Sequence, residues 1–159
     1  MSENLTLKLS RVVKTSRQSA FAAWTKPEAL MTWFAPGPMV PVTATVDLRE
    51  EGAFRLAMAG PSPRTGAEMN IVFTGTYQKI VPDKLLCFSC EVEGDPGAPT
   101  LVTVEFTDAE SGTEIALTHE RIPNADLLNR NRLGWGGMLE KLAGLCAERE
   151  VLATPECGD

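Results

Sequence analysis

The chain contains one histidine and one tyrosine in 159 residues, no apolar run approaching ~20 residues, and no block of like charge. Each lack excludes something. A single histidine without a second ligand motif speaks against a zinc site, which draws on several His, Cys or carboxylate ligands. Without a long apolar run there is no membrane span. The 15 Lys and Arg residues are scattered along a chain of net charge −6, a pattern that fits neither a nucleic-acid backbone nor an anionic membrane surface. Met1-Ser2-Glu3-Asn4 lacks the basic-then-apolar pattern of a signal peptide, so a cytoplasmic location is expected. HExxH, a serine nucleophile elbow and a glycine-rich phosphate loop are also missing, so no metal, cofactor or catalytic residue is assigned.

The four cysteines are Cys87, Cys90, Cys146 and Cys157. Cys87-Phe88-Ser89-Cys90 has the spacing of a metal or redox pair. It falls in a stretch that reads as a strand, however, where side chains three apart point to opposite faces. The sulfurs are therefore expected to pack as small reduced apolar groups.

What the chain does contain is enough for one domain with a core: hydrophobic content is 43% and charged content 23%. Leu5, Leu7 and Leu9 alternate with polar residues and predict a first strand. Ser16 to Trp24 predicts a short helix with Ser16 as cap. Thr25-Lys26-Pro27-Glu28 predicts a second helix start, with the Thr-x-x-Glu capping pattern and proline in the first turn; that helix ends at Pro36-Gly37-Pro38. Six strands follow, beginning near Val42, Phe54, Met69, Leu85, Leu101 and Ile115 and separated by turn residues such as Gly52, Pro82-Asp83-Lys84, Asp95-Pro96-Gly97 and Ser111-Gly112. Successive strands joined by short turns predict an antiparallel sheet.

Ala125 to Val151 predicts a long helix, roughly 40 Å in length. Leu128, Trp135, Met138, Leu139, Leu142, Leu145 and Cys146 form its apolar stripe. Gly134, Gly136, Gly137 and Gly144 interrupt it, each at a cost of roughly 1 kcal/mol against alanine, which suggests a packing or functional reason. Gly134 flanks the stripe and is expected to leave room beneath the helix. Gly137 and Gly144 fall on the opposite side, where they are either tolerated glycines facing water or positions that let a second copy approach closely, so a homodimer is among the partners to consider. Residues 1–152 read as a single domain and 153–159 as a flexible tail.

The residues resemble a known family. Arg11, Phe21-x-x-Trp24-Thr25-x-Pro27-Glu28-x-Leu30 with Trp33 and Pro36, and Asp47-Leu48-Arg49-x-x-Gly52-x-Phe54-Arg55 carry the first half of the resemblance. Gly75-x-Tyr77, Pro82, Gly112-Thr113, His119, Gly134-Trp135, Leu139 and Leu142 carry the second. In this order, over about residues 5 to 147, they are similar to the family named after the C-terminal domain of the activator of the heat-shock protein 90 ATPase, within the START-like, SRPBCC or helix-grip superfamily. Glu51 departs from the pattern, standing where many members have the first of two glycines. The resemblance implies an α+β helix-grip fold of order β-α-α-β6-α: a curved antiparallel sheet of about seven strands around the C-terminal helix, with a cavity between the two. It also implies binding of a small hydrophobic molecule, lipid- or polyketide-like.

The candidate ligand-binding residues are Trp33, Phe34, Phe54, Met58, Phe73, Tyr77, Phe88, Trp135 and Met138, an aromatic and soft set suited to an adaptable pocket, together with His119. His119 is in phase with Ile115 and Leu117 and so faces inward; beside a carboxylate it would be an acid/base group, otherwise a satisfied structural histidine. Two alternatives accompany the binding reading: an enzyme of the cyclase, aromatase or hydrolase kind, and a chaperone-activating module. The chain leaves no room for the separate N-terminal domain of a full activator, so a chaperone partner is not expected.

Overall fold

The computed structural model describes residues 4–62, 65–94 and 97–153. Strand β1 (Leu5–Val13) leads into helices α1 (Arg17–Thr25) and α2 (Pro27–Trp33). Strands β2 (Val40–Val46), β3 (Ala53–Pro61), β4 (Glu68–Val81), β5 (Leu85–Val92), β6 (Thr100–Ala109) and β7 (Gly112–Ile122) follow, and helix α3 (Ala125–Ala153) closes the chain. The strands form one antiparallel sheet in the order β1-β7-β6-β5-β4-β3-β2. The expected order of elements is therefore the observed one. Part of the 153–159 tail and the Asp95-Pro96 half of one expected turn lie outside the described residues, and Ala153 is the last residue of α3.

Period-two alternation sets the inner face of the sheet. Phe54, Leu56 and Met58 on β3, Leu86, Phe88 and Cys90 on β5, and Ile115, Leu117 and His119 on β7 are all buried on it. Cys87 lies half-buried beside the Thr103 hydroxyl, while Cys90 is in the core, where burial pushes its thiol up to about 12. The two cysteines thus fall on opposite faces, and neither is in a disulfide.

The helix caps divide between expectation and correction. Ser16 Oγ accepts from the Ser19 N–H at 3.1 Å and caps α1. The Thr-x-x-Glu pattern does not cap α2: Thr25 is still in α1, its hydroxyl donating back to the Phe21 carbonyl at 3.0 Å, and the N-cap is Lys26 without a side-chain bond. Pro27 in the first turn suffices to start α2, because its φ is already helical and it lacks the N–H that would go unpaired.

The departure at Glu51 has a backbone explanation. Glu51 has φ +70°, in the left-handed region where glycine carries no strain. The next residue, Gly52, has no space for a side chain, since a Cβ there would lie 2.1 Å from the Asp47 carbonyl oxygen. The turn keeps its shape because the Glu51 N–H donates to the Tyr77 carbonyl (2.7 Å) and the Tyr77 N–H to the Gly52 carbonyl (2.9 Å).

The covering layer is divided. α3 packs on β1, β7 and α2; α2 covers β2; α1 lies over β6 and β7. Trp135, Met138, Leu139, Leu142 and Cys146 form the buried stripe of α3. An Arg11–Glu140 ion pair ties β1 to the outer side of α3.

Candidate functional site

Tryptophans organise the space under the short helices. Trp33 Nε1 donates to the Ala23 carbonyl at 2.9 Å, joining α2 to α1. Trp24 meets Trp33 edge-on, with centroids 4.8 Å apart, and stacks on Trp135 at 5.9 Å and 24°. Phe34, the C-cap of α2, contacts Trp24, Trp33, Trp135 and Phe73. A second cluster on the sheet joins Phe54, Tyr77 and Phe88, with centroids 5.3 to 6.3 Å apart. Gly75 makes that cluster possible: a Cβ there would come within 2.7 Å of the Phe54 ring.

Between the two clusters lies a cavity of about 20 Å³. Trp24, Leu30 and Phe34 wall it from the helices. Val46, Phe54, Leu56, Phe73, Tyr77, Leu86 and Phe88 wall it from β2 to β5. Val46 and Phe73 are half-buried, whereas the other wall residues are buried. No carboxylate, lysine, arginine or histidine is in the wall. Trp24 and Tyr77 are the wall residues whose side chains carry a polar atom; the Trp24 indole nitrogen is buried without a hydrogen-bond partner, and burial pushes the Tyr77 ionisation above the ordinary phenol range.

Of the ten sequence-selected residues, the structure brings five into the wall: Phe34, Phe54, Phe73, Tyr77 and Phe88. Trp33, Met58, His119, Trp135 and Met138 are buried in the core away from it. The cavity expected between sheet and C-terminal helix thus lies instead between sheet and the two short helices. At the inner face of α3, Trp24 and Phe34 pack directly on Trp135. Trp24, Leu30, Val46, Leu56 and Leu86 were not selected. The signal for two of them was present, since Leu56 shares the strand phase of Phe54 and Leu86 that of Phe88.

His119 closes a directed chain of hydrogen bonds. Trp135 Nε1 donates to His119 Nδ1 at 3.0 Å. An indole is only a donor, so Nδ1 is the acceptor and the proton is on Nε2. Nε2 then donates to Thr100 Oγ1 at 2.7 Å, and Thr100 donates to the Cys90 carbonyl at 3.3 Å. Burial lowers the His119 pKa to about 4, which agrees with a neutral ring. The chain links α3 to three strands. No carboxylate takes part in it.

The four glycines of α3 also resolve. A Cβ at Gly134 would meet Pro36 Cβ at 3.9 Å and one at Gly137 would meet the Gly37 N at 3.6 Å, both ordinary contacts. Gly136 and Gly144 have nothing within 4 Å. Gly137 therefore faces the loop after α2 rather than a second chain, and Gly134 opens no space beneath the helix. One turn on, Lys141 Nζ donates to the carbonyls of Ala35 and, at 3.1 Å, Met39, latching the same loop. Partial burial lowers the Lys141 pKa.

The family model described as Activator of Hsp90 ATPase homolog 1-like protein matches residues 14–147. The chain belongs to this family. Among solved structures, the Activator of Hsp90 ATPase homolog 1-like fold recurs in the AHSA1 protein of Silicibacter pomeroyi, with TM-score 0.79, 20% identity, and coverage of 92% of this chain and 100% of that one. A protein from Chromobacterium violaceum gives TM-score 0.77 at 24% identity, covering 89% and 96%. One from Rhizobium leguminosarum gives 0.72 at 26%, covering 94% and 98%. No curated protein matches the sequence. These likenesses establish the helix-grip fold. Among the described residues, no helix is long and apolar enough to cross a membrane.

Proposed function

We propose that this Activator of Hsp90 ATPase homolog 1-like protein binds a small hydrophobic molecule in the cavity beneath α1 and α2. The observation that carries the reading is an apolar cavity held open between two aromatic clusters, in a fold whose superfamily commonly binds hydrophobic ligands. Interiors otherwise pack to crystal-like density. At about 20 Å³ the space is the size of one water, so a ligand enters by displacing part of the wall. The wall thins at half-buried Val46 and Phe73, and Phe73 closes against Phe34 at the end of seven-residue α2. Binding without chemistry is the better-supported reading, because His119 uses both ring nitrogens on Trp135 and Thr100 and lies outside the wall.

Trp24 lines the cavity, so its emission is the natural readout. Titration with bicyclic apolar probes is expected to give saturable quenching and a raised Tm. Leu56→Trp, which fills the cavity, is expected to abolish the quenching. Quenching that stays linear with probe concentration, in both wild type and variant, would sink the reading.

A further inference from the structure

We infer that residues 34–38 form a strap whose movement opens the cavity, with Lys141 as the latch that holds it shut; this rests on the small-molecule reading above. The strap follows α2 and reads Phe34-Ala35-Pro36-Gly37-Pro38. Every other residue of the cavity wall lies within a helix or strand, whereas Phe34 lies outside them all. Its ring closes against half-buried Phe73, where the wall thins. A space of about 20 Å³ admits a ligand only when a wall residue moves, and Phe34 is the one that can move without disturbing a helix or a strand ladder.

The strap is built to move as a body. Pro36 and Pro38 have fixed φ angles and no N–H, and Gly37 between them takes φ +57°. The Ala35 N–H donates to the Trp33 carbonyl at 2.8 Å and the Met39 N–H to the Pro36 carbonyl at 3.1 Å, so these backbone bonds stay within the strap and its two ends. The strap crosses α3 where that helix has no side chains to interlock with it. Ideal Cβ positions at Gly134 and Gly137 fall 3.9 Å from Pro36 Cβ and 3.6 Å from the Gly37 N. Met39 is the fixed end, packed so closely on β3 that a Cβ at Gly60 would come within 2.9 Å of its Cα. Lys141 supplies the hold: its Nζ donates to the Ala35 carbonyl at 2.6 Å and the Met39 carbonyl at 3.1 Å, on either side of Pro36-Gly37-Pro38. Among the described residues no other side chain hydrogen-bonds to the strap, and no carboxylate pairs with Lys141. Parting one ammonium from two carbonyls therefore releases the Phe34 side of the strap.

The 3.9 Å separation at Gly134 suits a disulfide, so Pro36→Cys with Gly134→Cys, in a Cys157→Ser background, staples the strap to α3. The readout is stopped-flow quenching of tryptophan emission by 1-nitronaphthalene. With the staple oxidised, association is expected to slow by about ten-fold or more while the final affinity stays within about two-fold, and dithiothreitol restores the wild-type rate. Lys141→Met is expected to speed association and dissociation alike by about ten-fold, because the latch is closed in both free and bound protein. Association at the wild-type rate with the staple oxidised, or unchanged rates in Lys141→Met, overturns the strap while small-molecule binding stands. Absence of saturable quenching in the wild type overturns both. If the staple shifts the amide signals of β6 and β7, the Lys141→Met rates decide alone.

Discussion

His119 shows how one side chain can fix a fold and a pH dependence together. Its Nδ1 accepts from Trp135, so protonation would set two donors face to face in the core. The folded pKa of about 4 lies below the ordinary 6.5. The unfolded chain therefore binds the extra proton over that interval, and stability present above pH 6.5 is lost as pH falls toward 4. Urea unfolding is expected to show a loss of about 2 kcal/mol between pH 7 and pH 5. His119→Gln is expected to flatten that loss, and an equal loss in the variant would refute the assignment. The inward direction of His119 was legible from its phase with Ile115 and Leu117. Its partners were not, because Thr100, Cys90 and Trp135 meet it only through strand pairing and helix docking.

At the scale of elements, the strands were legible because alternation and turn residues act locally, and all seven follow the expected order. The start of α2 was misread at Thr25 because a hydroxyl can bond backward to the preceding turn as readily as forward. The glycines of α3 were misread because a helical wheel says which way a position points and not what lies there. With nothing within 4 Å of Gly136 and Gly144, alanine fits at both. Each substitution is expected to stabilise the protein by about 0.5–1 kcal/mol through helix propensity, seen as a higher Tm. If Gly144 instead lets a second copy approach, Gly144→Ala will weaken self-association in sedimentation analysis.

For the whole molecule, the fold class was fully legible and the wall of the cavity only in part. The residues of the wall come from α1, α2 and four strands, so no local pattern marks them as neighbours. The division of the covering layer also sets where the molecule opens. α2 is short, and the loop after it is held to α3 by Lys141. Lys141→Met is expected to speed amide exchange across residues 27–39 by roughly ten-fold, leaving β6 and β7 unchanged. Uniform acceleration over the sheet would show instead that the latch supports the global fold.

The bonds that join α3 to the sheet, Trp135 to His119 and Arg11 to Glu140, lie outside the cavity wall, as does the His119–Thr100 bond that extends the first of them. Seven of the ten wall residues belong to β2–β5, a part of the sheet that α3 does not cover. A wall residue can therefore change size or polarity without disturbing the framework that sets the fold. If the proposed ligand binds there, its preference can be altered while the architecture is kept. A redesigned specificity would start from Leu30, Val46, Leu56 and Phe73 and leave His119 and Trp135 as they are.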